Sequence, residues 1–235
     1  MNAALQSAVS DRGITRLCHF TPSRNLQHIA AGEVGILSTA NLQDDERAVY
    51  NPTDLQRLDR QTGHICCSIE YPNAWYFEIA RGKELLFTDW VVLLINPRYL
   101  WKEGALFCPR NAASNYGGLL KPGLDGFERM YANSVTGTGG HTRRRVPTHL
   151  ACCPTDQQAE VLIPDCILLS DIVSVAVRSE EQARTERVRL EILGLDPDMF
   201  GFTIAPAFFS KHQLSAGITS GIRVPEKPFV AGGAI

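Results

Sequence analysis

The chain has 235 residues, and several absences bound what it can be. No apolar run approaches the about 18 residues that a membrane-crossing helix needs. The first residues, Met1 to Ser7, lack a basic region and a long apolar stretch, so no secretory signal is expected. No internal repeat is visible. Net charge is nearly absent: 23 basic residues against 25 acidic ones leave −2, which argues against a surface coated with nucleic acid. Seven cysteines include no C-x-x-C, and no Cys/His spacing matches a zinc site, so no metal is expected. Cys66-Cys67 and Cys152-Cys153 are adjacent pairs and not a disulfide frame, which points to reduced thiols in a cytoplasm. No glycine-rich loop follows the first strand-like segment, so any dinucleotide must bind without a Rossmann fingerprint.

What is present fits one domain over 1–235. Apolar residues make up 44%, enough for a core. Strands are expected at 14–20, 36–38, 65–69, 90–95, 161–163 and 172–177, with a last one within 200–209. The 90–95 run is wholly apolar and reads as central, ended by Pro97. Thr21-Pro22 reads as the cap and first turn of a helix carrying Leu26 and Ile29, stopping near Gly32. A second helix is expected within 44–59. Ser179-Glu180-Glu181-Gln182 is a capping box for a helix reaching about Leu193 and closed by Gly194. The segment 111–154 is rich in Gly and Pro and has little periodicity, which marks a long loop, either functional or disordered, extending to about 156; a substrate loop is the expectation. The tail 211–235 has no assignment. Short mixed strands without βαβ alternation make the fold class α+β.

The segment Gln157-Gln158-Ala159-Glu160-Val161-Leu162-Ile163 sets a carboxylate at the mouth of a short apolar strand. Such a group is fixed by a rigid element and can still face a cleft; the plain alternative is a strand-end glutamate facing water. With i and i+2 on one strand face, Gln158 and Glu160 would project together. Near the N-terminus, His19 and Thr21 share a face of the first strand in the same way, within Arg16-Leu17-Cys18-His19-Phe20-Thr21-Pro22.

These two arrangements resemble the ADP-ribosyltransferase superfamily, whose diphtheria-toxin-like branch brackets NAD between an early His-x-Thr and a late Gln/Glu-x-Glu. Further segments are similar to the DarT family of DNA ADP-ribosyltransferase toxins: Arg57-Leu58-Asp59, then His64 to Ile69 with Tyr71-Pro72-Asn73, Asn111-Ala112-Ala113, and Pro154 to Glu160. The likeness runs from about Ile14 to Ile163. It implies an ADP-ribosyltransferase-like split mixed β-sheet core with flanking helices and NAD as substrate, with no metal. It also implies single-stranded DNA as acceptor, a macrodomain antitoxin as partner, and no membrane association.

Breaking the glycosidic bond of NAD builds positive charge on the ribose, and a nearby carboxylate stabilises that state more than the ground state. The resemblance gives this role to Glu160, which would also hold a ribose hydroxyl. His19, Thr21 and Asn25 fall on the cofactor side. Arg57 is the candidate phosphate ligand and a member of the catalytic set, because guanidinium binds phosphate bidentately; Arg60 is its rival, and a surface pair with Asp54 or Asp59 is the plain alternative. Tyr71 and Tyr76 both compete to stack on nicotinamide. Gln158, Tyr116, Arg143, Arg144 and Arg145 are candidates for the substrate side, with Phe127, Tyr131 and Arg129 as further stacking or phosphate contacts. Two other functions fit the same residues: a transferase acting on a protein or small molecule, and an inert binding module. Glu160→Ala is expected to abolish transfer and leave the fold intact.

Overall fold

The structure is a computed structural model describing residues 3–32, 34–42, 58–83, 88–137 and 140–231. Its sheet is built outward from β4 (Trp90–Ile95), whose six residues are all buried, as a wholly apolar run requires. β1 (Leu17–Pro22) pairs antiparallel with β4 along its whole length, from Leu17 opposite Ile95 to Pro22 opposite Trp90. On the other side of β4 lie β11 (Ile172–Val177), β12 (Phe202–Ile204) and β13 (Lys227–Pro228). Beyond β1 come β3 (His64–Ile69), β9 (Glu160–Pro164), β5 (Leu106–Cys108) and β6 (Lys121–Pro122). Among the described residues this makes nine strands, mixed because β11 and β12 run parallel while their neighbours are antiparallel.

One join in this sheet differs from the others. β1 and β3 pair only through Leu17 with Ile69 and Cys18 with Ser68. After Cys18 the two strands diverge, and the sheet opens into two halves. This is the split that the resemblance implied, and the cleft within it holds the candidate site. A short ladder, β2 (Gly35–Leu37) with β10 (Cys166–Leu168), closes one side of the cleft. Gly35 has φ +116, and a Cβ there would stand 2.4 Å from the Ile167 carbonyl, so only glycine lets the ladder close.

Six helices flank the sheet among the described residues: α1 (Ala3–Asp11), α2 (Ser23–Ala31), α3 (Ala74–Lys83), α4 (Gly123–Met130), α5 (Glu180–Ile192) and α6 (Lys211–Ser220). α5 begins as its capping box predicts, with Ser179 Oγ accepting the Gln182 N–H.

Four expectations need correction. Thr21 is not a helix cap: Pro22 stays extended (φ −56, ψ 141) and paired with Trp90, so the helix starts at Ser23. The 111–154 segment is not structureless. It holds β6, α4, and a hairpin of β7 (Ser134–Thr136) and β8 (Thr142–Arg144). Leu124, Phe127 and Met130, spaced three apart, carried the signal of α4, and the last two are buried. Within 200–209 only Phe202–Ile204 is strand, because Pro206 opens a 3-10 turn instead. The tail forms α6 and β13. The helix expected within 44–59 lies outside the described residues up to residue 57.

Candidate active site

Glu160 is the first residue of β9, opposite Cys108 of β5. The residue is 8% exposed and lines the cleft. Three donors converge on it. Oε1 accepts from Asn73 Nδ2 at 3.3 Å and from Asn111 Nδ2 at 3.0 Å, and Oε2 accepts from the Ala112 N–H at 2.8 Å. A carboxylate is an acceptor only, with room for about four hydrogen bonds, so these three N–H groups suit its ionised form.

The two asparagines are oriented by the same device. Asn73 Oδ1 accepts the Tyr76 N–H at 3.0 Å, which caps α3, and Asn111 Oδ1 accepts the Ala113 N–H at 3.0 Å. Each amide oxygen is thereby committed, and each amide nitrogen turns to Glu160. Both residues stood in segments that carried the family resemblance, but neither had a role from sequence. Their function depends on two loops meeting in space, which spacing along the chain does not encode.

Across the split, β1 supplies His19 and Thr21, both lining the cleft. His19 Nδ1 lies 2.8 Å from the Cys66 carbonyl. A carbonyl only accepts, so Nδ1 carries the proton and bridges the diverging strands. Thr21 Oγ1 accepts from Asn25 Nδ2 at 2.9 Å. Asn25 Oδ1 and Ser38 Oγ, both buried at the cleft, have no hydrogen-bond partner among the described residues. Buried polar atoms are rarely left so, and such a pair suits a polar ligand rich in hydroxyls and amides. Ser38 was not foreseen: a lone serine after a three-residue strand gives no signal.

The remaining candidates separate. Tyr76 lines the cleft and packs on Phe20, with ring centroids 6.2 Å apart. Tyr71 does not line it. It is a core residue, edge-on to Phe208 at 5.5 Å and beneath Arg16, and burial pushes its hydroxyl up to about 12. Gln158 sits in a turn before β9 begins, so strand alternation never reaches it; its N–H donates to Asp156 Oδ1 at 2.9 Å. Arg57 lies outside the described residues. Arg60 is exposed, with φ +59.

The basic knot is also divided. Arg143 and Arg144 are exposed on β8. Arg145 turns inward and donates to the carbonyls of Cys153 and Leu150, each at 2.8 Å, with its guanidinium 5.7 Å from the Tyr131 ring. Tyr116 is 66% exposed, and it and Asn115 both adopt left-handed backbone (φ 51 and 56). Phe127 and Tyr131 are core, not stacking surfaces, and pack on each other at 5.0 Å. Arg129 is half-buried on α4.

The loop before Glu160 is held from outside the sheet. Gln157 Oε1 accepts from Trp75 Nε1 at 3.4 Å and from Ser215 Oγ of α6 at 2.5 Å. Among the described residues no cluster of His, Cys, Asp and Glu suits a metal ion, and no helix is long and apolar enough to cross a membrane.

The sequence model described as "ssDNA thymidine ADP-ribosyltransferase, DarT" matches residues 18–203. The chain belongs to the DarT family. Its activity is therefore NAD-dependent ADP-ribosyl transfer. A search of curated protein sequences found no match. Among solved structures, Thermus sp. 2.9 DarT in complex with NAD+ is 13% identical, with a TM-score of 0.50 over 79% of this chain and 97% of that one. The same enzyme in complex with ADP-ribosylated ssDNA gives 13% and 0.50, over 80% and 97%. Thermosipho africanus DarTG in complex with ADP-ribose gives 14% and 0.54 over 83% of this chain, which spans only 51% of that longer one. These likenesses establish a DarT fold. The DarT match ends before α6 and β13, so the helix that touches Gln157 lies beyond it.

Proposed function

We propose that this enzyme transfers ADP-ribose from NAD to thymidine in single-stranded DNA, with Glu160 at the reacting centre. The observation that carries the reading is the Glu160 carboxylate, fixed by Asn73, Asn111 and the Ala112 N–H at the rim of the cleft where the sheet splits.

The bond from the ribose anomeric carbon to nicotinamide breaks, and nicotinamide leaves with the electron pair. Positive charge develops on the ribose ring facing Glu160, where a preorganised carboxylate stabilises the transition state more than the ground state. A thymine ring nitrogen then bonds to the anomeric carbon. The base has a single ring N–H, and its proton passes to Glu160 or to water. In a duplex that N–H is paired with adenine, so the acceptor must be single-stranded.

His19, Thr21, Asn25 and Tyr76 line the half of the cleft assigned to NAD, and the unpartnered Asn25 Oδ1 supports this assignment. Arg57 remains the candidate phosphate ligand. Arg143 and Arg144 on the β7–β8 hairpin supply phosphate contacts, and the exposed Tyr116 ring supplies a stacking face for a base. Residues in left-handed backbone cost about 1–3 kcal/mol each and concentrate at ligand clamps, which supports Tyr116 in that role. The whole of 1–235 acts as one catalytic domain in this reading. The protein is a cytoplasmic toxin, restrained by a macrodomain antitoxin that removes ADP-ribose from DNA.

The test is incubation with NAD and oligonucleotides that contain or lack thymidine. The expected result is nicotinamide release coupled to ADP-ribosylation of thymidine-containing single strands only. Transfer to protein with none to DNA would overturn the DNA reading.

A further inference from the structure

Arg110 stands between the two parts of the site that must act together. It follows β5 by two residues and precedes Asn111, the donor to Glu160. Its side chain is largely buried and spans two segments. Nε pairs with Asp156 Oδ2 at 2.9 Å, and Nη1 donates to the His141 carbonyl at 2.9 Å. Asp156 is buried and sits four residues before Glu160. His141 immediately precedes β8, the second strand of the hairpin, and its carbonyl also accepts the Gly137 N–H at 3.0 Å. One guanidinium therefore ties the hairpin bearing Arg143 and Arg144 to the loop that delivers Glu160.

The hairpin is shaped to receive this group. A Cβ at Gly137 would stand 1.6 Å from Arg110 Nη1 and 2.3 Å from Cζ. The obstructing atoms are the end of a side chain and not backbone, so a methyl there would expel the guanidinium without dismantling the hairpin. Arg suits the position because its planar fork can serve a carboxylate and a carbonyl at once, which a lysine ammonium does less well.

We propose that Arg110 is a positioning residue for transfer to DNA: it sets the DNA-facing hairpin against Glu160 and takes no part in binding NAD. The proposal rests on the reading that Arg143 and Arg144 contact DNA. A misplacement of about 1 Å far from the chemistry can cost on the order of a hundredfold in rate, so such a brace can matter without touching substrate.

The test compares Arg110→Ala, Arg110→Lys and Gly137→Ala. Each is assayed for NAD affinity by calorimetry, for KM and kcat on a thymidine-containing oligonucleotide, and for amide hydrogen exchange across 134–144. For Arg110→Ala and Gly137→Ala, NAD affinity should stay within about twofold while oligonucleotide KM rises about tenfold or more. Arg110→Lys should recover part of this loss. Exchange in the hairpin should quicken while that of β9 does not. Wild-type KM in both Arg110→Ala and Gly137→Ala would overturn the proposal. If the wild-type protein modifies no DNA, the reading under Proposed function falls, and the exchange data still decide the brace: unchanged hairpin protection in Arg110→Ala would refute it.

Discussion

Asn111 Nδ2 donates to Glu160 Oε1 at 3.0 Å, and the Asn111 amide is held for that task because its own oxygen accepts the Ala113 N–H. The pair joins the end of β5 to the start of β9, adjacent strands that already align Cys108 with Glu160. The carboxylate is thus aimed by backbone register and by a side chain together.

Removing that donor should slow transfer while NAD still binds. A hydrogen bond to a charged group is worth about 1.5–3 kcal/mol, so Asn111→Ala should lower kcat roughly ten- to hundredfold. Asn111→Asp should be worse than Ala, because a second carboxylate would sit against the first. Steady-state kinetics on an oligonucleotide check this; an Asp variant as active as wild type would show that Glu160 does not need its neighbour.

Glu160 should also bear on stability: Glu160→Ala is expected to fold, but with a lower unfolding midpoint. Truncation leaves the Asn73 and Asn111 amides and the Ala112 N–H facing a gap. Each unsatisfied buried donor costs about 1–3 kcal/mol, offset where water enters from the cleft. Denaturant unfolding should show a lower midpoint for Glu160→Ala than for the near-isosteric Glu160→Gln.

The three arginines 143–145 should not act alike. Each lost phosphate contact lowers the log–log salt slope of binding by about 0.7 on single strands. Arg143→Ala and Arg144→Ala should flatten that slope with little change in stability. Arg145→Ala should destabilise the fold, since it strips donors from the carbonyls of Cys153 and Leu150. Salt titrations of oligonucleotide binding, paired with thermal melts, separate the two classes.

Acid should weaken the fold through His149. Burial, helped by the Arg145 charge, holds its imidazole below the ordinary value of 6.5. In the unfolded chain the ring takes a proton near that value, while the folded chain resists. Protons therefore favour the unfolded state as pH falls through about 6.5 and below, and stability declines there. Denaturation midpoints between about pH 7.5 and 5.5 should drop in the wild type and drop less in His149→Gln.

The parts of this architecture that were legible from sequence were those with local causes. The apolar run of β4 announced a central strand, Ser179 and Gln182 announced α5, and Glu160 before Val161-Leu162-Ile163 announced a carboxylate at a strand mouth. What stayed hidden depended on long-range packing. The asparagine pair becomes visible only when residues 73, 111 and 160 meet. Arg145 looked like its neighbours until the carbonyls of 150 and 153 enclosed it. Tyr71 and Tyr76 had equal claims until Phe208 took one of them into the core. The helix 123–130 was missed because its glycines and the prolines around it outweighed three well-spaced apolar residues.

The most direct test of the central claim is mass spectrometry of a thymidine-containing single-stranded oligonucleotide after incubation with NAD and either the wild-type protein or Glu160→Gln. If Glu160 carries the transfer, the wild type adds one ADP-ribose to the thymidine and a folded Glu160→Gln variant adds at most a trace. Equal modification by both proteins would contradict that claim.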